Sequence, residues 1–141
     1  MDNKKTILIV DDDPSNIIAL TQILSPEYTV YAVKSGEEAI EAAEKFLPDL
    51  ILLDIIMPEM DGYETLFALN CEEKAKDIPV IFVTGLDGVG DEKRGLLLGA
   101  ADYITKPFAP ELLLKRVKTH LVLKNQEREL KKLQNYGLEE N

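Results

Sequence analysis

The chain has 141 residues, 45% hydrophobic and 30% charged, with a formal net charge of −10; that describes one globular domain able to bury a core without disulfide or metal staples, and excludes a disordered chain. Residues 1–114 carry 22 acids against 9 bases and residues 115–141 carry 4 acids against 7 bases, so the acidic body argues against direct nucleic-acid binding, which relies on Lys and Arg. The polar start Met1-Asp2-Asn3-Lys4-Lys5 is not a secretory signal, and no apolar run approaches the ~18 residues of a membrane span, so a cytoplasmic protein is expected, with no membrane partner.

In chain order, the β-branched, apolar run 6–10 predicts a first buried strand, ending in Asp11-Asp12-Asp13. Asp13 before Pro14 is a helix start, with Asp13 as N-cap and Pro14 at the first helical position. Ile17, Ile18, Leu20, Ile23 and Leu24 then form an apolar helical face, closed by Ser25-Pro26. Residues 28–33 are the second strand. Ser35-Gly36-Glu37-Glu38 reads as a capping box opening a helix through Phe46, with Ala39, Ile40, Ala42 and Ala43 inward. Leu50-Ile51-Leu52-Leu53 is an unbroken apolar run, a strand buried on both faces. It ends at Asp54, followed by a Pro58-containing loop and the helix-start signal Asp61-Gly62. A third helix follows over 61–72, with Tyr63, Leu66, Phe67 and Leu69 inward and the lone Cys71 an inert residue near its end. Residues 79–83 are the fourth strand, ending in Thr84-Gly85, and the Gly-rich run 86–90 reads as a mobile loop. A fourth helix over 91–98 stops at Gly99. A short fifth strand over 101–104 precedes Thr105-Lys106-Pro107-Phe108, and a last helix runs from Pro110 to about Tyr136.

Strands and helices alternate five times, which predicts an α/β fold: a doubly wound parallel sheet with right-handed crossovers. All strand carboxyl ends then share one edge, where open α/β sheets bind ligands. That edge carries Asp11, Asp12, Asp13, Asp54, Thr84 and Lys106. Crowded carboxylates repel by roughly 4 kcal/mol per close pair at an effective dielectric of ~20, so they call for a cation. All-oxygen ligation by carboxylates and water suits Mg²⁺, with Mn²⁺ as a substitute. A lysine charge and a threonine hydroxyl beside that metal suit the oxygens of a phosphoryl group, with Asp54 as the attacking carboxylate.

The span from about Lys5 to Leu121 resembles the receiver domain of bacterial two-component response regulators. The resemblance rests on Ile9-Val10-Asp11-Asp12-Asp13, Leu53 through Gly62, Val83-Thr84-Gly85, and Gly99 through Phe108, four motifs in order and at matching separations. It implies a flavodoxin-like five-stranded sheet of order 2-1-3-4-5, and a phosphoryl group accepted on Asp54 from a sensor histidine kinase or phosphotransfer protein. It further implies Mg²⁺ ligation by Asp12, Asp54 and the Ile56 backbone carbonyl, with Asp11 acting through water. Lys106 would bind the phosphoryl group, Thr84 and Tyr103 would form the switch pair, and the Lys106–Pro107 bond would be cis. On phosphorylation, the Thr84 hydroxyl would move toward the phosphoryl group and Tyr103 would swing inward. The surface so altered, formed by the fourth helix, fifth strand and last helix, is the expected site of a homodimer. Gly85 stands where the family often has alanine, which implies a looser loop.

This division makes residues 1–122 the receiver and 123–141 a helical C-terminal extension or linker. Leu123, Leu130 and Leu133 supply only a thin seam for a coiled coil. The only histidine, His120, reads as a solvent-facing helix position. Whether the chain stands alone or leads into an output domain is left open. Three functions compete: a signalling phosphoacceptor that catalyses only its own phosphorylation and dephosphorylation, an Mg²⁺-dependent phosphohydrolase, and an interaction module with a vestigial site. The hydrolase needs a second acid two residues after the nucleophile, where this chain has Ile56.

Overall fold

The structure, a computed structural model, describes residues 3–140, with side chains as far as Tyr136. Its elements alternate without exception: β1 (Thr6–Val10), α1 (Pro14–Leu24), β2 (Thr29–Val33), α2 (Gly36–Phe46), β3 (Leu50–Leu53), α3 (Gly62–Asn70), β4 (Val80–Thr84), α4 (Val89–Leu97), β5 (Asp102–Thr105) and α5 (Pro110–Glu140). The strands pair in parallel in the order β2-β1-β3-β4-β5, the doubly wound sheet expected from the sequence.

Successive side chains of a strand point to opposite faces, so each strand feeds two cores. On one face Leu8, Val10, Ile51, Leu53 and Phe82 meet the alanines of α2 and Tyr63, Leu66 and Leu69 of α3. On the other, Ile7, Ile9, Leu50, Leu52, Ile81 and Val83 meet Leu20 and Leu24 of α1 and Leu113 and Val117 of α5. Every residue of β3 is buried, and each such Leu or Ile contributes about 2 kcal/mol by leaving water. Burial on both faces leaves β3 only one place to show a polar group, its carboxyl end. The register brings that end level with its neighbour: Val10 lies opposite Leu53, and an acid follows each.

Asp13 caps α1 as expected, accepting from the Ser15 N–H at 2.9 Å, with Pro14 in the first turn. The expected box at Ser35 is only half formed. Ser35 accepts from the Glu38 N–H at 3.1 Å, then donates its hydroxyl to the Glu38 carboxylate at 3.2 Å. The reciprocal box sits instead on α3, where the Glu64 N–H reaches Asp61 at 2.8 Å and the Asp61 N–H reaches Glu64 at 3.1 Å.

Two apolar assignments also change. Ile18 is 59% exposed and Phe67 63% exposed, because each lies on the far side of its helix from the buried stripe. Thr65 is buried on α3 instead, its hydroxyl donating to the Asp61 carbonyl at 2.8 Å. The fourth helix starts at Val89 and takes in Gly90, two residues that the sequence predicts to lie in the loop. The last helix is continuous over 31 residues to Glu140, roughly 46 Å at ~1.5 Å per residue. Among the described residues, no helix is long and apolar enough to cross a membrane.

Candidate functional site: an acidic cluster at the carboxyl edge of the sheet

The carboxyl ends of β1 and β3 place two acids inside the protein, not on it. Asp11 is 2% and Asp54 8% exposed. Buried carboxylates need partners, and both have them. Asp11 Oδ1 accepts from the Asp13 N–H at 2.9 Å and, more loosely, from Asn16 Nδ2 at 3.5 Å. Asp54 Oδ1 accepts from the Ile55 N–H at 2.7 Å and the Ile56 N–H at 3.4 Å. Their other oxygens share one cation: Lys106 Nζ lies 2.9 Å from Asp11 Oδ2 and 3.2 Å from Asp54 Oδ2. Burial works to lower the Lys106 pKa, but the hydrogen bond and charge of Asp11 and the charge of Asp54 outweigh it, and the ammonium is held above its ordinary value. Lys106 precedes a cis peptide bond to Pro107, as expected.

The loop after β3 is drawn tight over this cluster. The Gly62 N–H donates to the Ile55 carbonyl at 2.8 Å, and a Cβ at Gly62 would sit 2.4 Å from the Asp54 carbonyl oxygen. Only glycine permits that approach. Gly85 is different: a Cβ there meets nothing within 4 Å, so the structure does not require glycine at this departure from the resembling family.

The donor set fits a hard divalent cation. One carboxylate oxygen each from Asp11, Asp12 and Asp54 lies within 4.8 Å of the others. Asp12 is the exposed member, leaving a side open to water, and Lys106 offsets only part of the three negative charges. All-oxygen sites of this kind, with room for water, suit Mg²⁺.

Thr84 ends β4 at the same edge, fully buried, its oxygen accepting from the Leu86 N–H at 3.4 Å. Tyr103 of β5 is buried on the same side of the sheet. It packs edge-on against Phe82 with ring centroids 6.0 Å apart and donates its hydroxyl to the Leu86 carbonyl at 2.7 Å.

With this geometry, the profile of the response regulator receiver domain matches residues 7–118. The chain belongs to that family. It is 47% identical over 116 residues to a probable cyclic di-GMP phosphodiesterase of Vibrio cholerae, a match covering 82% of this chain but 26% of that protein. The chain thus spans about a quarter of that relative. Among solved structures it resembles a putative response regulator from Chloroflexus aurantiacus, at TM-score 0.81 and 35% identity over 85% of this chain and 99% of that one. It also resembles the receiver domain of a sensor histidine kinase from Pseudomonas aeruginosa, at TM-score 0.77 and 31% identity over 84% and 98% of the two chains. That structure has a magnesium ion coordinated in its active-site cleft.

Within the receiver, Asp11, Asp12, Asp54 and Lys106 come together as the sequence predicts. Ile56 stands beside them with its side chain 59% exposed. Tyr103 stands inward, the position expected of it after phosphorylation. One expectation changes. His120, expected to face solvent, instead lies 2.9 Å from Asp102 Oδ2, while Arg116 donates to Asp102 Oδ1 at 2.8 Å. One β5 carboxylate therefore holds two side chains of α5 at the root of the long helix. The one available signal was the spacing of Arg116 and His120, four residues apart on one helix face. The sequence predicts Tyr63 only as a core residue. Its hydroxyl donates to the Asp91 carbonyl of α4 at 3.0 Å.

Proposed function

We propose that Asp54 is the phosphoryl acceptor of this receiver, and that the chain catalyses its own modification and its reversal. The observation that carries this is the shared Lys106 ammonium between Asp11 and Asp54, at the end of a strand with no other polar group. A carboxylate oxygen of Asp54 forms the new bond to phosphorus while the bond to the donor's imidazole nitrogen breaks, its electron pair leaving with the imidazole. Lys106 turns from the carboxylates to the transferred oxygens, and the Thr84 hydroxyl donates to another. Asp11, Asp12 and Asp54, with the Ile56 carbonyl, would hold Mg²⁺, and Mn²⁺ would substitute; such an ion supplies charge neutralisation for the phosphoryl oxygens. Ile56 stands where an aspartyl-phosphate hydrolase needs its second acid, which favours a switch over catalysis on an outside substrate.

The donor is a sensor histidine kinase or phosphotransfer protein. A cleft of about 460 Å³ beside Lys106, lined by Asn16, Leu20, Ile23, Pro107 and Phe108, offers it an apolar seat next to the acceptor. Residues 1–122 act as the receiver and 123–141 as a helical extension. Exposed Val89 and Leu97 on α4, and Leu112 and Leu123 on α5, support a homodimer through α4, β5 and α5. The acidic body does not support direct nucleic-acid binding.

Incubation with acetyl phosphate and Mg²⁺, followed by intact-mass measurement, should show one added phosphoryl group, labile to hydroxylamine. Asp54→Asn should abolish it. Modification that persists on the Asn variant places the acceptor elsewhere.

A further inference from the structure

α4 is thinly held. Gly95 is its one buried residue, and its N-cap, Gly88, contributes no side-chain hydrogen bond. From α3, two side chains reach it: the Asn70 amide donates to the Leu98 carbonyl at its C-cap at 3.0 Å, and Tyr63 reaches its first turn. The Tyr63 hydroxyl donates to the Asp91 carbonyl in the first turn of α4 at 3.0 Å, and the Arg94 guanidinium lies 4.0 Å from the centre of the Tyr63 ring. The same ring meets Phe82 edge-on at 5.6 Å, and Phe82 meets Tyr103 edge-on at 6.0 Å. Three rings thus run in a row from α3 to β5 beneath α4. Gly95 lies over the far end of the row, where a Cβ would stand 2.9 Å from Phe82 and 3.3 Å from Tyr103.

The two phenols grip the connection between β4 and α4 from either end. Tyr103 holds the Leu86 carbonyl at 2.7 Å, and Tyr63 holds the Asp91 carbonyl. Only four residues, 87–90, separate these points, and a segment that short limits how far one end can move from the other. Pinning Asp91 therefore restricts where the Leu86 carbonyl is offered to Tyr103. The phenols also sense one another. Burial is the main cause of the raised Tyr103 pKa and proximity to Tyr63 the next.

We propose that Tyr63 is a positioning residue for the switch: by holding the start of α4 through its hydroxyl and Arg94 through its ring, it favours the conformation in which Tyr103 stays inward. This rests on Asp54 being the acceptor and on inward Tyr103 being the state that phosphorylation favours. A residue that stabilises that state raises affinity for any ligand selecting it.

Tyr63→Phe keeps the ring, and with it the Phe82 and Arg94 contacts, and removes only the hydroxyl. Beryllofluoride affinity should fall roughly two- to tenfold, the range set by one net hydrogen bond, and the Tyr103 ring resonances should move in the untreated protein. Contacting residues give non-additive effects, so Tyr63→Phe combined with Tyr103→Phe should cost little more than Tyr103→Phe alone. Arg94→Leu, which leaves both hydroxyls in place, should shift the same readouts in the same direction. Unchanged beryllofluoride affinity in Tyr63→Phe, or fully additive losses in the double variant, overturns the proposal. A wild-type protein that binds no beryllofluoride and takes no phosphoryl group defeats the acceptor assignment instead. In that event the Tyr103 resonances alone decide: movement in Tyr63→Phe upholds the positioning role, and unmoved signals overturn it.

Discussion

α3 and α4 are neighbours of equal length, nine residues each, but they are built to different standards. α3 has a complete capping box and five buried residues, among them Tyr63, Leu66 and Leu69. α4 has a glycine N-cap without a side-chain bond and one buried residue, itself a glycine. α3 follows the loop that carries Asp54, and α4 follows the loop that carries Thr84. The difference separates two tasks on one sheet edge. In the proposed function the acceptor stays put against charge repulsion, and its loop runs into a firmly seated helix. The responding side moves at little cost, and its loop runs into a helix with few buried contacts, the kind of region where local opening is inexpensive.

Gly62 of α3 and Gly95 of α4 offer the largest test of that contrast. A Cβ at Gly62 would stand 2.4 Å from the Asp54 carbonyl oxygen and 2.6 Å from Ile55 Cα, backbone that cannot yield without moving Asp54. Gly62→Ala should destabilise by about 3 kcal/mol, the upper end of overpacking costs, and impair phosphoryl transfer as well. At Gly95 the obstacle is the edge of the Phe82 and Tyr103 rings, side chains beside a helix with one buried residue, which yield more readily than the backbone at Gly62. Better helix propensity, ~1 kcal/mol for alanine over glycine, offsets part of the strain. Gly95→Ala should therefore cost about 1 kcal/mol or less in urea unfolding, while weakening beryllofluoride binding by displacing Tyr103. Equal stability losses at the two sites would show α4 to be as firmly seated as α3.

How far the sequence revealed this contrast depended on the kind of signal. Strands were legible to within a residue or so because buried parallel strands are short apolar runs, and β3 coincided with its predicted limits. The acidic cluster was legible because parallel strands share an edge, so Asp11 and Asp54 had to meet. Helix details were less so. Hydrophobicity cannot say which side of α1 or α3 faces the sheet, so it predicts Ile18 and Phe67 inward although both are exposed. Gly90 suggested a loop because a helix tolerates glycine only at a cost, and α4 accepts that cost. The Asp102–Arg116–His120 cluster and the reach of Tyr63 to Asp91 join residues 14 to 28 positions apart. No periodicity in one sequence encodes such pairs.

The phenol that links the two helices gives a smaller, pH-dependent test. Burial raises the pKa of Tyr63 and of Tyr103 above the ordinary phenol value of 10.0. Below about pH 10 these groups are protonated folded or unfolded, and they add no slope to stability. Above it, the unfolded chain releases protons that the folded protein retains. Stability should then fall as pH rises, until the folded phenols themselves ionise. Lys106, also raised, acts in the same direction. Urea midpoints from pH 8 to 11 should therefore drop less steeply above pH 10 in the Tyr63→Phe, Tyr103→Phe double variant than in the wild type. Parallel profiles would mean that neither phenol is held in its protonated form by the fold.

The smallest effect is expected at the N-cap of α4. Gly88 has φ −71° and ψ 145°, extended backbone that any residue adopts, so glycine is not required there by conformation. A Cβ would approach the Asp91 Oδ2 at 2.8 Å, the free end of a side chain that can rotate away. Gly88→Ser would supply the missing acceptor for the first-turn N–H groups, a gain of only a few tenths of a kcal/mol over glycine. The matching loss on α3, Asp61→Ala, removes half of a working box and should cost about 1 kcal/mol. Hydrogen exchange reads both. In the wild type the α4 amides should exchange faster than those of α3, and Gly88→Ser should slow them by roughly twofold, as a few tenths of a kcal/mol requires. Equal protection of the two helices in the wild type would mean that they open together. The cap of α4 would then be no weak point, and the switch would have to draw its freedom from the loop alone.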